Sequence, residues 1–160
     1  MLIKPTYEEV KFIPPFTNKI IAKKDGKWGI ADLKGAWLAT NQYDQIEVFT
    51  DVLSAWIIQF AERRYQFKVK VGTDYGIIND RGDVLVDIGY ANNFTTFMLE
   101  EYRDFVVVKK EGLFGLCKFG LLKKPNAFFE KIYTNGGKLW VVKDGKKLEA
   151  TISNGNFVSY

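Results

Sequence analysis

Residues 26–35 read Gly26-Lys27-Trp28-Gly29-Ile30-Ala31-Asp32-Leu33-Lys34-Gly35, and this stretch recurs along the chain. It returns as Tyr75-Gly76-Ile77-Ile78-Asn79-Asp80-Arg81-Gly82, with the same interval between the second and last glycines. A third copy, Gly112-Leu113-Phe114-Gly115-Leu116-Cys117-Lys118-Phe119-Gly120, is one residue shorter. A fourth runs from Gly145-Lys146-Lys147-Leu148-Glu149 to Asn154-Gly155 and has lost both the aromatic and the inner glycine. Self-similarity at a fixed period is the mark of a repeat architecture.

Outward from these copies, other marks recur in the same order. Fifteen residues after each of the first three aromatics stands another: Tyr43 after Trp28, Tyr90 after Tyr75, Phe129 after Phe114. Tyr7 supplies the first member of that series. Short anchors follow, in Tyr7-Glu8-Glu9-Val10, Tyr43-Asp44-Gln45-Ile46 and Phe129-Glu130-Lys131-Ile132. An aromatic-Thr pair then appears in every copy, at Phe16-Thr17, Phe49-Thr50, Phe94-Thr95 and Tyr133-Thr134. The chain divides on these marks into repeats 7–42, 43–89, 90–128 and 129–160 of one domain spanning 1–160.

Each repeat reads as β structure. Runs such as Ile20-Ile21-Ala22, Phe105-Val106-Val107-Val108 and Leu139-Trp140-Val141-Val142 are separated by turns at Asp25-Gly26, Lys34-Gly35, Arg81-Gly82, Glu111-Gly112 and Asp144-Gly145. The glycine after the aromatic lies inside a strand pattern. It predicts a bulge, or a close approach by another backbone or by the next repeat's aromatic. The expected fold class is all-β: four antiparallel units closing like a propeller, with a twisted β-solenoid as the alternative. Ring closure would protect sheet edges that a solenoid must cap.

The second repeat carries an insertion. Tyr43 and Tyr90 are 47 residues apart, against 36 for Tyr7 to Tyr43 and 39 for Tyr90 to Phe129. The extra residues fall between Asp51 and Tyr65. Leu53, Trp56, Ile57 and Phe60 fit a helical face, yet the segment 52–64 equally continues the strand before it. Beyond it Tyr65, Phe67, Val69 and Val71 alternate with Gln66, Lys68 and Lys70, a strand signature.

Composition narrows the chemistry. The 160 residues contain no His and one Cys, so a Ser-His-Asp relay, a Cys-His pair, a His-ligated zinc and an internal disulfide are excluded. Aromatics make up 16%, a weight that favours sheets. The net charge of +4 is unevenly spread: residues 105–160 hold ten lysines against four acidic side chains. Such a patch suits an anionic partner, or it keeps sheet edges soluble and unpaired. No Arg accompanies those lysines, and Arg is the residue that grips phosphate bidentately. The longest apolar run, Val52 to Ile58, is too short to span a membrane. The start lacks the plan of a secretory signal, so the expectation is a cytoplasmic protein.

At Lys27-Trp28-Gly29-Ile30-Ala31-Asp32, with Gly35 and then Tyr43-Asp44-Gln45-Ile46, the sequence resembles the bacterial WG-repeat family. Copies two and three replace the Trp by Tyr75 and Phe114, and copy four lacks the motif. The resemblance covers nearly the whole chain and implies a β-rich binding scaffold without catalysis.

Candidate sites follow from these readings. Trp28, Tyr75 and Phe114 are expected to hold adjacent repeats together rather than to grip a ligand. Cys117 sits in an apolar strand and reads as an inert buried thiol. The carboxylate pairs Glu8/Glu9, Glu100/Glu101 and Asp80/Asp83 show no known catalytic or metal-ligand spacing, so no enzyme activity, metal or cofactor is expected. Arg63, Arg64, Tyr65 and Phe67 place two Arg beside two aromatics where the repeat does not dictate them. Met98, in Phe97-Met98-Leu99-Glu100-Glu101-Tyr102, marks a second patch. These five residues are the expected partner-binding site of a non-enzymatic protein-binding module, plausible as an immunity protein that occludes a cognate toxin. The alternative is nucleic-acid binding through the lysine-rich last third. Oligomeric state is not legible.

Overall fold

A computed structural model describes residues 6–13, 18–49, 66–97 and 99–160, with the Glu100 side chain excepted. Among them there is no α-helix, only a 3-10 turn at Glu100–Tyr102. The strands of the first repeat are β1 (Glu9–Phe12), β2 (Lys19–Lys24), β3 (Lys27–Asp32) and β4 (Trp37–Tyr43). Those of the second are β5 (Gln45–Val48), β6 (Gln66–Val71), β7 (Asp74–Asn79) and β8 (Val84–Tyr90). The third has β9 (Thr95–Thr96), β10 (Phe105–Lys110), β11 (Leu113–Lys118) and β12 (Phe128–Phe129). The last has β13 (Lys131–Asn135), β14 (Lys138–Lys143) and β15 (Lys146–Glu149), then the hairpin β16 (Thr151–Ser153) and β17 (Asn156–Ser159).

The repeats of the sequence are thus antiparallel meanders. The sheet orders are β1-β2-β3-β4, β5-β6-β7-β8, β12-β11-β10-β9 and β13-β14-β15, with β16-β17 apart. By contacts the chain forms two compact units, Met1–Val84 and Leu85–Tyr160.

One backbone hydrogen bond shows that the four repeats are copies. The amide after each anchor aromatic donates to a carbonyl near the end of the second strand. These bonds are Glu8 N to Lys23 O (2.9 Å), Asp44 N to Lys70 O (2.8 Å), Ala91 N to Lys109 O (2.9 Å) and Glu130 N to Val142 O (2.9 Å). In three repeats the side chain at that position then caps the next hairpin turn. Gly26 N donates to Glu8, Gly72 N to Asp44 Oδ2 (2.7 Å) and Gly145 N to Glu130 Oε1 (3.1 Å). The turn at Asp25-Gly26 needs such help, since both residues sit at positive φ (53° and 74°), the tight-hairpin geometry.

The Asp that closes the motif has an equally local task. Asp32 Oδ1 accepts from Lys34 N and Ala36 N, both at 2.9 Å, and Asn79 Oδ1 accepts from Arg81 N and Asp83 N at 2.9 Å. Short side chains that mimic a backbone turn fold the third strand back on the fourth. The equivalent Lys118 lacks such a group, and its turn is held by backbone bonds: Leu121 N and Leu122 N donate to Lys118 O, and Lys118 N donates to Leu122 O.

The fifteen-residue spacing is a cross-strand pairing: Trp28 lies opposite Tyr43, and Phe114 opposite Phe129. Between them the inner glycine makes room. A Cβ on Gly29 would lie 2.5 Å from Ala39 O and 2.7 Å from Trp37 Cζ3, and the ladder bulges there. One on Gly115 would lie 2.5 Å from Pro125 Cβ. The close neighbour is therefore the same repeat's fourth strand or the chain leading to it, not the next repeat's aromatic. Leu148 replaces this glycine in the last repeat, where β15 has no fourth strand beside it.

Both faces of the first sheet are covered, which explains its run without alternation. In the unit Met1–Val84, Ile21, Trp28 and Ile30 on one face of the first sheet share a core with Phe67, Val69 and Ile78 of the second repeat. The opposite face packs Ile20, Ala22 and Ala31 with Tyr7 and Trp37. In the unit Leu85–Tyr160, Val107 and Leu116 on the corresponding face of the third repeat share a core with Leu139 and Val141 of the fourth. The same rule operates twice: the aromatic-bearing face of one repeat meets the opposite face of the next.

Replacing Gly29 by Ala forces a methyl into backbone and ring atoms. Overpacking of this kind costs about 1–3 kcal/mol. Urea unfolding of Gly29→Ala is expected to lose that much stability, and an unchanged midpoint would contradict the crowding.

Candidate partner-binding surfaces

Arg63, Arg64, Tyr65 and Met98 lie outside the described residues, as does the helix-or-strand question over 52–64. The insertion is located by its flanks. It belongs to the connection between β5, which ends at Val48, and β6, which begins at Gln66. Phe67 requires a correction as a binding residue: its exposure is 0%. Strand alternation turns it inward with Val69, while Gln66 and Lys68 are partly exposed. An aromatic near a loop was read as surface, but its period-2 register assigns it to the core.

The second patch resolves similarly. Phe97 is buried, and its ring centroid lies 5.9 Å from that of Tyr102, which in turn is 6.0 Å from Phe105. Glu100 and Glu101 sit in the 3-10 turn rather than on a strand.

Of the repeated aromatics, Trp28 and Phe114 pack in the cores of their units. Trp28 is buried in the first core, and Tyr75 and Phe114 are partly exposed. Each has a lysine ammonium over its ring, contributed from the strand opposite: Lys23 at 5.6 Å, Lys70 at 5.6 Å and Lys109 at 5.4 Å. Lys11 lies closer still to Trp28, at 4.5 Å. These ammonium groups cap the rings and add cation–π attraction.

The remaining carboxylates have structural partners. Glu8 caps a turn, while Glu9 accepts from Lys23 Nζ at 2.8 Å. Asp80 is buried and pairs through Oδ2 with Lys19 Nζ at 2.5 Å, joining the first two repeats within their unit. Its Oδ1 has no hydrogen-bond partner among the described residues. Asp83 Oδ2 accepts from Asn79 Nδ2 at 2.9 Å. Among the described residues no group of three or more Cys, Asp or Glu is placed to hold a metal ion. Cys117 is fully buried, and burial, with Asp87 a lesser contributor, pushes its thiol up to about 12. A neutral thiol in an apolar strand is a poor nucleophile. No described helix is long and apolar enough to cross a membrane.

Two features escaped the sequence reading. The acidic residue after three of the four anchor aromatics was visible as part of a motif, but its role as turn cap needs the fold. The other is the outer face of the last sheet. There β14 alternates strictly, with Leu139 and Val141 buried and Trp140 and Val142 partly exposed.

A scan of protein-family models finds no match to the chain, and neither curated proteins nor solved structures yield a significant one.

Asp44 is the most heavily used cap, accepting from Gly72 N and pairing with Lys27 of the preceding repeat. The Lys27 hydrogen bond first, and the Gly72 amide second, hold its carboxyl below the usual aspartate range. A depressed carboxyl stabilises the fold fully above its unfolded value and loses that contribution as pH falls through its folded value. Asp44→Asn is therefore expected to melt lower than the parent at neutral pH, with the gap closing toward acid. Thermal melts across that range check it, and a constant gap would contradict the linkage.

Proposed function

We propose that this protein is a non-enzymatic protein-binding module whose recognition surface is built on the first connection of the repeats. The carrying observation is where the repeats differ. The second-to-third-strand turn is two residues long in each repeat, at 25–26, 72–73, 111–112 and 144–145. The first-to-second connection, in contrast, runs over 13–18, 49–65, 97–104 and 136–137. Framework residues are fixed by cap, pairing and core, so sequence freedom is concentrated in the connections, this one above all. The third-to-fourth connection also lengthens, from 33–36 in the first repeat to 119–127 in the third. Departures of this kind in repeat proteins map to binding faces.

The longest of these connections carries Arg63, Arg64 and Tyr65, residue types that dominate interface energies. In a bacterial setting an immunity protein that occludes a toxin fits a scaffold of this size and chemistry. Propeller-like closure of the tandem repeats belongs to the same reading, as the arrangement that protects sheet edges.

Replacing Arg63, Arg64 and Tyr65 by Ala is expected to abolish capture of a cognate toxin in pull-downs while leaving the far-UV CD spectrum unchanged. Undiminished capture would remove the site. Small-angle scattering on the same preparation reads closure: a short maximum dimension supports the ring, and an elongated particle the solenoid.

A further inference from the structure

The last sheet differs from the others in what covers it. Residues opposite one another across antiparallel strands share a face. The core-facing row of this sheet is Ile132, Val141 and Leu148: Val141 is buried in the core of the unit Leu85–Tyr160, and the other two are partly buried against it. The other face presents two rows: Tyr133, Trp140 and Glu149, then Lys131, Val142 and Lys147. Lys138 joins it opposite Asn135.

By the repeat alignment, Trp140 and Glu149 occupy the positions of Ile21 and Ile30. In the first repeat those two are buried, at 3% and 0%. Here Trp140, Tyr133 and Val142 remain partly exposed, and Lys131, Lys147 and Glu149 are exposed. An uncovered terminal face needs only polar residues for solubility. This one keeps two aromatic rings side by side.

Charge completes the pattern. Glu149 is the face's one carboxylate, and Lys138 Nζ occupies it at 2.9 Å. Lys131 and Lys147 form no ion pair among the described residues and flank Val142 on either side. Two strand spacings separate them, about 10 Å.

We propose that this outer face of β13–β15 binds single-stranded nucleic acid, with bases stacking on Trp140 and Tyr133 and phosphates meeting Lys131 and Lys147. Exposed bases offer a π-face to aromatic rings, and each stack contributes appreciably whatever the sequence. An acidic protein would satisfy the lysines but leave the rings without a matching planar partner. The residues of this face are none of those in the connection holding Arg63 and Arg64, so the two readings fail independently.

The test is fluorescence anisotropy of a labelled oligothymidylate with the full chain, titrated across salt. Binding is expected to weaken linearly on a log–log plot. In Lys131→Gln/Lys147→Gln the slope is expected to shrink by about 1.4, from roughly 0.7 per released counterion on single strands. Trp140→Ala is expected to weaken binding roughly tenfold or more, and Trp140→Phe to restore most of it. Alanine at Arg63, Arg64 and Tyr65 should leave oligonucleotide affinity as it was. An unchanged salt slope in the double lysine variant, whose side chains are exposed and dispensable for folding, would overturn the proposal. Polyglutamate binding as tightly as the oligonucleotide would overturn it equally, giving the face to an acidic protein.

Discussion

Burial of one repeat's sheet face against the next is the constraint on which this structure depends. A single three- or four-stranded meander has two apolar faces and too little area to be stable alone. In the unit Met1–Val84 the face of Ile21, Trp28 and Ile30 is closed by Phe67, Val69 and Ile78. In the unit Leu85–Tyr160 Val107 and Leu116 are closed by Leu139 and Val141. The motif residues serve that arrangement. Gly29 lets the fourth strand cross close to the third, so that Trp28 and Tyr43 stand opposite each other. Asp32 and Asn79 fold the fourth strand back, and Glu8, Asp44 and Glu130 hold the hairpin that presents the aromatic.

Much of this was legible because it is local. Turn glycines, the aromatic spacing and the β-branched runs each report a backbone requirement within a few residues. The all-β class and the repeated unit therefore follow from residues such as Asp25-Gly26 and the Trp28–Tyr43 interval. Even the shorter third copy is explained, since Lys118 cannot make the side-chain turn of Asp32. What could not be read is which face of a strand is covered. Leu139-Trp140-Val141-Val142 and Phe105-Val106-Val107-Val108 look alike as apolar runs, yet the first is half-open and the second fully buried.

Phe67 shows the same limit from the other side. Its position beside Arg63, Arg64 and Tyr65 in sequence suggested a shared surface, but strand alternation turned it into the core. Proximity in sequence to a variable loop is weaker than register within a strand. Asp80 makes the point for charge: it stands in a turn, and the structure uses it as the buried partner of Lys19, sixty-one residues away in sequence. Long-range pairing of this kind leaves no periodic signal.

Native-state hydrogen exchange tests the stacking of repeats most directly. The two repeats of Met1–Val84 share one core, so the central amides of β2, β3, β6 and β7 should open together, at a common free energy that shifts equally when either repeat is destabilised. Amides of β6 and β7 that retain their protection while those of β2 and β3 lose theirs would show repeats folding separately, and would contradict the account.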